Sequence, residues 1–459
     1  GYYLSTNLCY NSIVKFRFFK PYIFSIIILV NILPSLAESS MRFSDRIEEY
    51  TMDNGLKVIL IEDNRSPVIV SSIWYRVGSS YEYSGVSGIS HVLEHMMFKG
   101  TTNTSPGEFS KIIKEAGGSE NAFTGRDFTG YYQKIHKDYL ELCLKLESDR
   151  MSNLVFREDE FKKEVEVVKE ERRLRTDDKP VSKVFEKIGL QAFGMKDYGI
   201  PIIGTMKDLS SIKISDLKKW YKNYYVPNNA TLILAGNFES SNAKLLIKKY
   251  YGNYGKKKIL DYSNNYTHKI SFNAISVKDK VSDPLILLSF KNKSFNASDK
   301  KEIYAMELLL ELMDGGLSSR FTKNLIDENK IALNTFISYD SYSRKDGLIT
   351  LGGSPRKGVS AKDLKMAFLN EFTVFIKNGL KENELTNTKS RLLANKIYEF
   401  DSVFYQAMQV GMLETKNFDW HLLDEYVDDI NAITEIDLIN AARKIVSSSY
   451  IYSSIEPES

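Results

Sequence analysis

Residues 84–102 read "SGVSGISHVLEHMMFKGTT", and "HVLEH" at 91–95 sets two of the chain's five histidines four positions apart around a glutamate. On a helix turning about 100° per residue, Ile89, Val92, Leu93, Met96 and Met97 share one face, the spacing of a packed helix. His91, Glu94 and His95 cluster on the opposite face, which the pattern turns outward. Ser87 or Ser90 is placed to cap the start, and Gly100 suits the stop. Two histidines at i and i+4 reach a single tetrahedral Zn²⁺ through neutral ring nitrogens. In a chain so poor in histidine, two unrelated surface histidines flanking a glutamate are the weaker reading. His136, His268 and His421 sit in no such pattern and read as structural or solvated.

A catalytic zinc takes three protein ligands and keeps one position for water. Residues 158–175, "EDEFKKEVEVVKEERRLR", read as a long charged helix with Phe161, Val165 and Val168 as its packing stripe. Glu164 and Glu171 are seven apart and share a face. On spacing alone a solvated face is the stronger reading and a third ligand the weaker one.

At 459 residues the chain exceeds one ordinary core, so two or more domains are expected. Apolar residues at 43% and charged residues at 26% describe a globular protein. A net charge of +3 argues against a dedicated nucleic-acid binder. Lys15, Arg17 and Lys20 precede "PYIFSIIILVNILPSLA" at 21–37, which has the order of a secretory signal ending at Ser35-Leu36-Ala37. Cleavage near Ala37 gives a mature N-terminus near Glu38 and an exported protein, periplasmic in a Gram-negative cell. An uncleaved membrane anchor is the alternative, disfavoured because the run falls short of the ~20 residues of a spanning helix. No later segment resembles one. Cys9 precedes the expected cut, so Cys143 stands alone and no intrachain disulfide forms in the mature chain.

Beyond Ser44, strand and helix signals alternate. "LKVILIED" and "PVIVSSIWYRVG" read as neighbouring antiparallel strands, with turn residues at Asn54-Gly55 and Asn64–Pro67. Helical periods occupy 86–99, 107–116, 138–152, 158–175, 179–192 and 215–225; "NATLILAGNF" is a strand and "SSNAKLLIKKYYGNYG" a helix. The second half echoes the first: "DPLILLSFKNKSFNAS" parallels "SPVIVSSIWYRVGSSY", and "MELLLELMDGG" stands where "HVLEHMMFKG" stood, without histidines. The expected plan is a signal at 1–37, a chemically equipped domain at 44–255, a polar linker at 256–268 and a blank homologous domain at 269–457.

"GISHVLEHMMFKGT" resembles the inverted zinc motif H-x-x-E-H of the pitrilysin/insulinase metallopeptidases, whose members include bacterial proteins similar to mitochondrial processing peptidase. The resemblance continues through "GGSENAFTGRDFTGYY" and "EVEVVKEERR" and spans roughly residues 44–457. It implies an α+β fold of two homologous domains facing each other as a clam-shell, each a largely antiparallel sheet with helices on one side. It implies one Zn²⁺ per chain, held by His91, His95 and a glutamate about seventy-five residues beyond the second histidine. That count lands on Glu171, with Glu170 the competitor one register away. Glu164 matches a second family glutamate near the metal that is not a ligand. Glu94 matches the general base, and Asn121, Ala122 and Thr124 match a substrate-binding edge strand.

The function so implied is zinc-dependent endopeptidase action on peptides or unfolded segments. A non-catalytic partner subunit of the same fold is the alternative, although such subunits usually lose zinc residues and all four are present here. A zinc sensor leaves Glu94 unexplained. Self-sufficient relatives also carry an arginine and, seven positions on, a tyrosine in the second domain. The matching stretch, "LSSRFTKNLIDENKIALNTF", puts Ile326 and Leu333 there, with Arg320 too early and Tyr339 too late. The resemblance thereby implies a hetero-oligomer with a zinc-less paralogue, a homodimer being the other arrangement.

Overall fold

The computed structural model describes residues 43–261, 268–296 and 299–458. The signal segment and Cys9 lie outside the described residues, as does the middle of the 256–268 linker. Among the described residues no helix is long and apolar enough to cross a membrane.

The apolar runs of the first half become strands β1 (Ile47–Thr51), β2 (Lys57–Glu62) and β3 (Val68–Tyr75). After these come helices α1 (Ile89–Met96) and α2 (Glu108–Glu115), then the hairpin β4 (Ser119–Thr124) and β5 (Thr129–His136). Helices α3 (Leu140–Ser152), α4 (Glu158–Arg172), α5 (Pro180–Phe193) and α6 (Ile214–Tyr224) lead to β6 (Ala230–Gly236) and α7 (Ser240–Tyr251). The second half repeats the series with β7 (Ile275–Asp279), β8 (Leu285–Asn292), α8 (Lys300–Asp314), β9 (Ala332–Ser338) and β10 (Gly347–Pro355). Helices α9 (Ala361–Asn378), α10 (Glu384–Phe400), α11 (Val403–Thr415), α12 (Leu422–Ala432) and α13 (Glu435–Ser447) precede β11 (Tyr450–Pro457).

The sheet orders are β1-β2-β6-β3-β5-β4 and β7-β11-β8-β10-β9. Without β1 they superimpose term by term, and in each the first-listed pair of the common set (β2 with β6, β7 with β11) is parallel while the others are antiparallel. The duplication suggested by the sequence is therefore one of topology. Each sheet ends in an edge strand, β4 in one and β9 in the other.

β6 explains how the halves are joined. Every one of its residues is buried, so both faces of the first sheet are covered there. Leu232 and Leu234 face the first half's own helices, with Val92, Leu93, Met96, Leu217 and Trp220. Ile233 and Ala235 face the other way, in one cluster with Ile59, Val70 and Trp74 and with Ala407 and Val410 of α11. Helix α11 thus packs on β3 and β6 of the other half. In return α5 lays Val184, Ile188 and Ala192 on Leu285, Leu287, Ile451 and Ile455 of the second sheet. The exchange is reciprocal: each half lends one helix to the open face of the other's sheet. Buried side chains of this size contribute roughly 1.5–3 kcal/mol each, so the halves do not separate cheaply.

The close approach at this seam fixes one glycine. A Cβ on Gly411 of α11 would lie 2.1 Å from Cε2 of Trp74, and the indole is itself held by a bond from Nε1 to Ser72 Oγ (3.2 Å). Alanine in a helix interior is normally about 1 kcal/mol better than glycine. Here Gly411→Ala is expected to destabilise by roughly 1–3 kcal/mol through overpacking, read as a lower urea midpoint; a rise in midpoint would show that α11 does not sit on Trp74.

Candidate metal and catalytic site

The start of α1 is buried, and buried carboxylates rather than serines serve its free N–H groups. The residue preceding the helix is Gly88, at φ +88°, and no side chain caps it. A Cβ there would meet the carbonyl oxygen of Ile203 at 2.8 Å. Glu82 accepts from the N–H of Gly88 (2.7 Å) and of Ser90 (2.9 Å). The expectation that Ser87 or Ser90 caps the helix is corrected: Ser87 donates its hydroxyl to Asp208 (2.7 Å) and Ser90 accepts from the Trp220 indole (3.2 Å). A helix start packed against other segments is reached by long-range partners, which local sequence does not display. Asp208 also accepts from the N–H of Gly85 and of Ser87, both at 3.0 Å.

Val92, Leu93 and Met96 are fully buried, as their spacing predicts. The polar face is not turned to open solvent, however, because α4 and β4 pack beside α1 and leave His91 only 9% exposed. Facing it from α4 are Glu164 and Glu171, while Phe161, Val165 and Val168 anchor α4 in the core. Nε2 of His91 lies 3.8 Å and Nε2 of His95 3.6 Å from one oxygen, Oε2 of Glu171. One donor atom from each of the three lies within 4.8 Å of the others. The imidazole planes stand at 84°, 4.8 Å between centroids. Glu170, one residue away, points elsewhere and pairs with Arg173 at 2.7 Å on the surface.

The outer contacts orient this trio. His95 Nδ1 bonds Oε2 of Glu164 at 2.9 Å, and Lys99 holds the other Glu164 oxygen at 2.6 Å. Arg175, on the π-helical turn Arg173–Asp177, pairs with the second oxygen of Glu171. Nδ1 of His91 is buried and has no hydrogen-bond partner among the described residues. Thr124, at the end of β4, donates its hydroxyl to Oε2 of Glu94 at 2.5 Å.

Burial, and then the neighbouring His95, lower the His91 pKa to about 4, which keeps this ring neutral. Burial also opposes charge on His95, but its hydrogen bond to Glu164 and the Glu171 carboxylate 3.6 Å away outweigh that and lift it to about 9. Burial pushes Glu171 upward, yet His95, His91 and Arg175 hold it near 2. Glu94 is raised by burial, against the pull of His95 and Thr124. Two carboxylates flanking His95 thus favour a positive charge between them. Two imidazoles and a carboxylate are a zinc donor set, and a cation bound there would take the place of a proton on the rings. The residues fit a divalent metal.

Of the residues singled out in the sequence, His91, Glu94, His95, Glu164, Glu171 and Thr124 come together. Ala122 is buried in the first-half core, and Asn121 takes the N–H of Ala122 on its side-chain oxygen (3.0 Å). Both belong to the edge strand beside α1. Leu333 is exposed on β9 and Ile326 is half-buried on the π-helical turn Phe321–Glu328. Arg320 is buried and bonded to Glu384 at 2.6 and 2.9 Å, and the Tyr339 hydroxyl turns to the carbonyl of Ile303 (3.4 Å). In the second half, α8 packs on α10 as α1 packs on α4, but what meets there is an ion pair, Glu311 with Arg391 at 2.7 Å. Thr124's bond to Glu94 and Arg175's to Glu171 were not foreseen. No local pattern announces the first, and the second is an i, i+4 pair that the sequence does carry.

The family model "Insulinase (Peptidase family M16)" matches residues 57–206, and "Peptidase M16 inactive domain" matches 211–392. The chain is 32% identical over 397 residues to the zinc protease PqqE of Helicobacter pylori, covering 85% of this chain and 86% of that protein. It is 27% identical over 417 residues to the uncharacterized zinc protease YmxG of Bacillus subtilis, covering 90% and 98%. Among solved structures it is similar to a protease from Helicobacter pylori, with a TM-score of 0.82 and 28% identity over 90% of this chain and 99% of that one. The periplasmic protease PqqL of Escherichia coli shares the fold, with a TM-score of 0.74 and 18% identity over 90% of this chain and 48% of that one.

Asp208 tests whether the start of α1 is held as described. Asp208→Ala strips the acceptor from three donors, two of them buried, and is expected to cost roughly 2–4 kcal/mol in urea unfolding. A cost below about 0.5 kcal/mol would show that this anchor does not matter.

Proposed function

The chain belongs to the insulinase family, peptidase family M16, and from that premise we propose that it is a zinc-dependent endopeptidase acting on extended peptides and unfolded segments. The observation that carries this reading is the convergence of His91, His95 and Glu171 on one point, with the Glu94 carboxylate on the same helix and a free strand edge beside it. His91 and His95 would hold the metal through Nε2 and Glu171 through Oε2. Glu164 fixes the ring orientation and tautomer of His95 through Nδ1, the carboxylate–histidine arrangement that supports zinc sites. Bound zinc supplies Lewis acidity toward a peptide carbonyl and toward water.

Glu94 is the general base. Thr124 occupies its Oε2, so Oε1 takes the proton of the attacking water and passes it to the departing amide nitrogen. Its burial raises its basicity above that of a surface carboxylate. Substrate adds to the edge of β4 as an extended strand, with Asn121, Ala122 and Thr124 along it, and main-chain pairing gives broad specificity. The N-terminal basic and apolar run supports export, to the periplasm of a Gram-negative cell.

The place of the arginine and tyrosine of self-sufficient relatives favours a partner. Ile326 and Leu333 offer no side-chain donor, and Arg320 and Tyr339 are engaged within their own half. A zinc-less paralogue supplies the pair in trans; the alternative of a homodimer leaves it missing. Purified alone, the chain is expected to bind zinc and hydrolyse a quenched peptide library slowly, with the paralogue accelerating it. Full activity from a chain that elutes as a monomer would rule the dependence out.

Glu94→Gln keeps shape and removes the base. It is expected to retain zinc and lose hydrolysis by ~10²-fold or more, and near wild-type cleavage would exclude Glu94 as base. Zinc content should fall sharply in Glu171→Ala and stay near one per chain in Glu170→Ala, measured by metal analysis after dialysis. The reverse pattern would assign the wrong glutamate to the site.

A further inference from the structure

The blank second half reaches the turn of the β4–β5 hairpin. Residues 125–128 form that turn, and Asp127 in it is only 2% exposed. One oxygen of Asp127 accepts from the Ser80 hydroxyl (2.7 Å) and from Nε of Arg344 (2.9 Å), and the other accepts from the Tyr198 hydroxyl. Arg344 comes from the loop between β9 and β10. Its Nη2 also donates to Ser80 (2.7 Å), and its guanidinium lies over the Tyr81 ring, 4.4 Å from the centroid. The Tyr198 oxygen receives the backbone N–H of Arg344 (2.9 Å) and of Lys345 (3.2 Å). Behind the turn, the N–H groups of Ser79 and Ser80 bond the carbonyls of Gly125 (3.2 Å) and Arg126 (2.8 Å). The side chains of Asp127, Ser80 and Tyr198 are more than nine-tenths buried, while Tyr81 and Arg344 are partly exposed.

The geometry points to Arg344 as a positioning residue for the base Glu94, supplied by the half that carries no metal ligands. The inference rests on the peptidase reading above. Arg344 is the cation in contact with the Asp127 carboxylate. Without it a buried carboxylate keeps only hydroxyl donors, and a buried charge stripped of its partner forces the surrounding backbone to open toward water. The turn is one residue from Thr124, which pairs with Thr129 across the hairpin and holds Oε2 of Glu94. A shift of the turn moves Thr124, and Glu94 loses the contact that fixes which of its oxygens faces the reacting water. A misplacement of about 1 Å at a catalytic group costs on the order of 10²-fold in rate. The same hairpin carries the edge strand, so the second half holds base and substrate strand in one register.

The test uses the zinc-loaded full chain in the assembly that hydrolyses peptides, with Arg344→Met and with Arg344→Met combined with Asp127→Asn. Arg344→Met is expected to lower kcat by ~10–100-fold with KM within about twofold and zinc content unchanged, and to speed amide exchange in residues 120–130 alone. The double variant removes the orphaned charge and is expected to recover most of kcat and of the protection, a non-additivity that a merely structural loss does not give. Wild-type kcat and wild-type exchange of the hairpin in Arg344→Met would overturn the proposal. So would loss of protection spread over the whole chain. Absence of hydrolysis by the zinc-loaded wild type would defeat the peptidase reading instead, and the exchange data would still decide whether Arg344 holds the hairpin.

Discussion

Everything at the site depends on a helix of two turns that uses both of its faces. Val92, Leu93 and Met96 anchor α1 in the first-half core, and the period of the helix then places His91 and His95 one turn apart on the other side. Neither face is optional. Loss of the apolar anchor would let α1 rotate, and a rotation of one residue carries both imidazoles away from Glu171. A short helix has little stability of its own. Its position is imposed by Glu82 and Asp208 at its start, by α4 along its side and by β4 near Glu94.

Burial sets the chemistry as well as the position. His91 is kept neutral by desolvation, whereas His95, nearly as buried, gains charge because two carboxylates flank it. Without a metal the two rings of one motif are pushed in opposite directions, and the difference comes from α4. In the second half the same packing of helix on helix is satisfied by Glu311 and Arg391. That ion pair balances its own charge, and among the described residues no three metal-ligating side chains converge there. Duplication preserved the sheet order and the helix contact while the donor set diverged.

Much of this was legible in the sequence. Periods of two and of 3.6 placed most helices of the first half within a few residues, and the run "HVLEH" with "EVEVVKEERR" brought the right side chains into consideration. The exchange of α5 and α11 was not legible. An amphipathic pattern says that a face is buried, and it carries no information on which sheet does the burying. The start of α1 was misread for a related reason: serines beside a helix start suggest local caps, while the real acceptors are Glu82 and Asp208. Spacing alone left Glu164 and Glu171 undecided, and family register narrowed the third ligand to Glu171 or Glu170. In three dimensions Glu170 faces solvent and Glu171 faces the imidazoles. Arg344 lies 217 residues from Asp127, and no sequence window spans such a pair.

We propose that two imidazole nitrogens of α1 and one carboxylate oxygen of α4 hold a single zinc ion. Anomalous diffraction recorded above and below the zinc edge, on crystals of the zinc-loaded chain, tests it most directly. One strong peak is predicted per chain, about 2.0–2.2 Å from Nε2 of His91, Nε2 of His95 and an oxygen of Glu171. A peak on Glu170 or Glu164 instead of Glu171, or no peak between the two histidines, would contradict it.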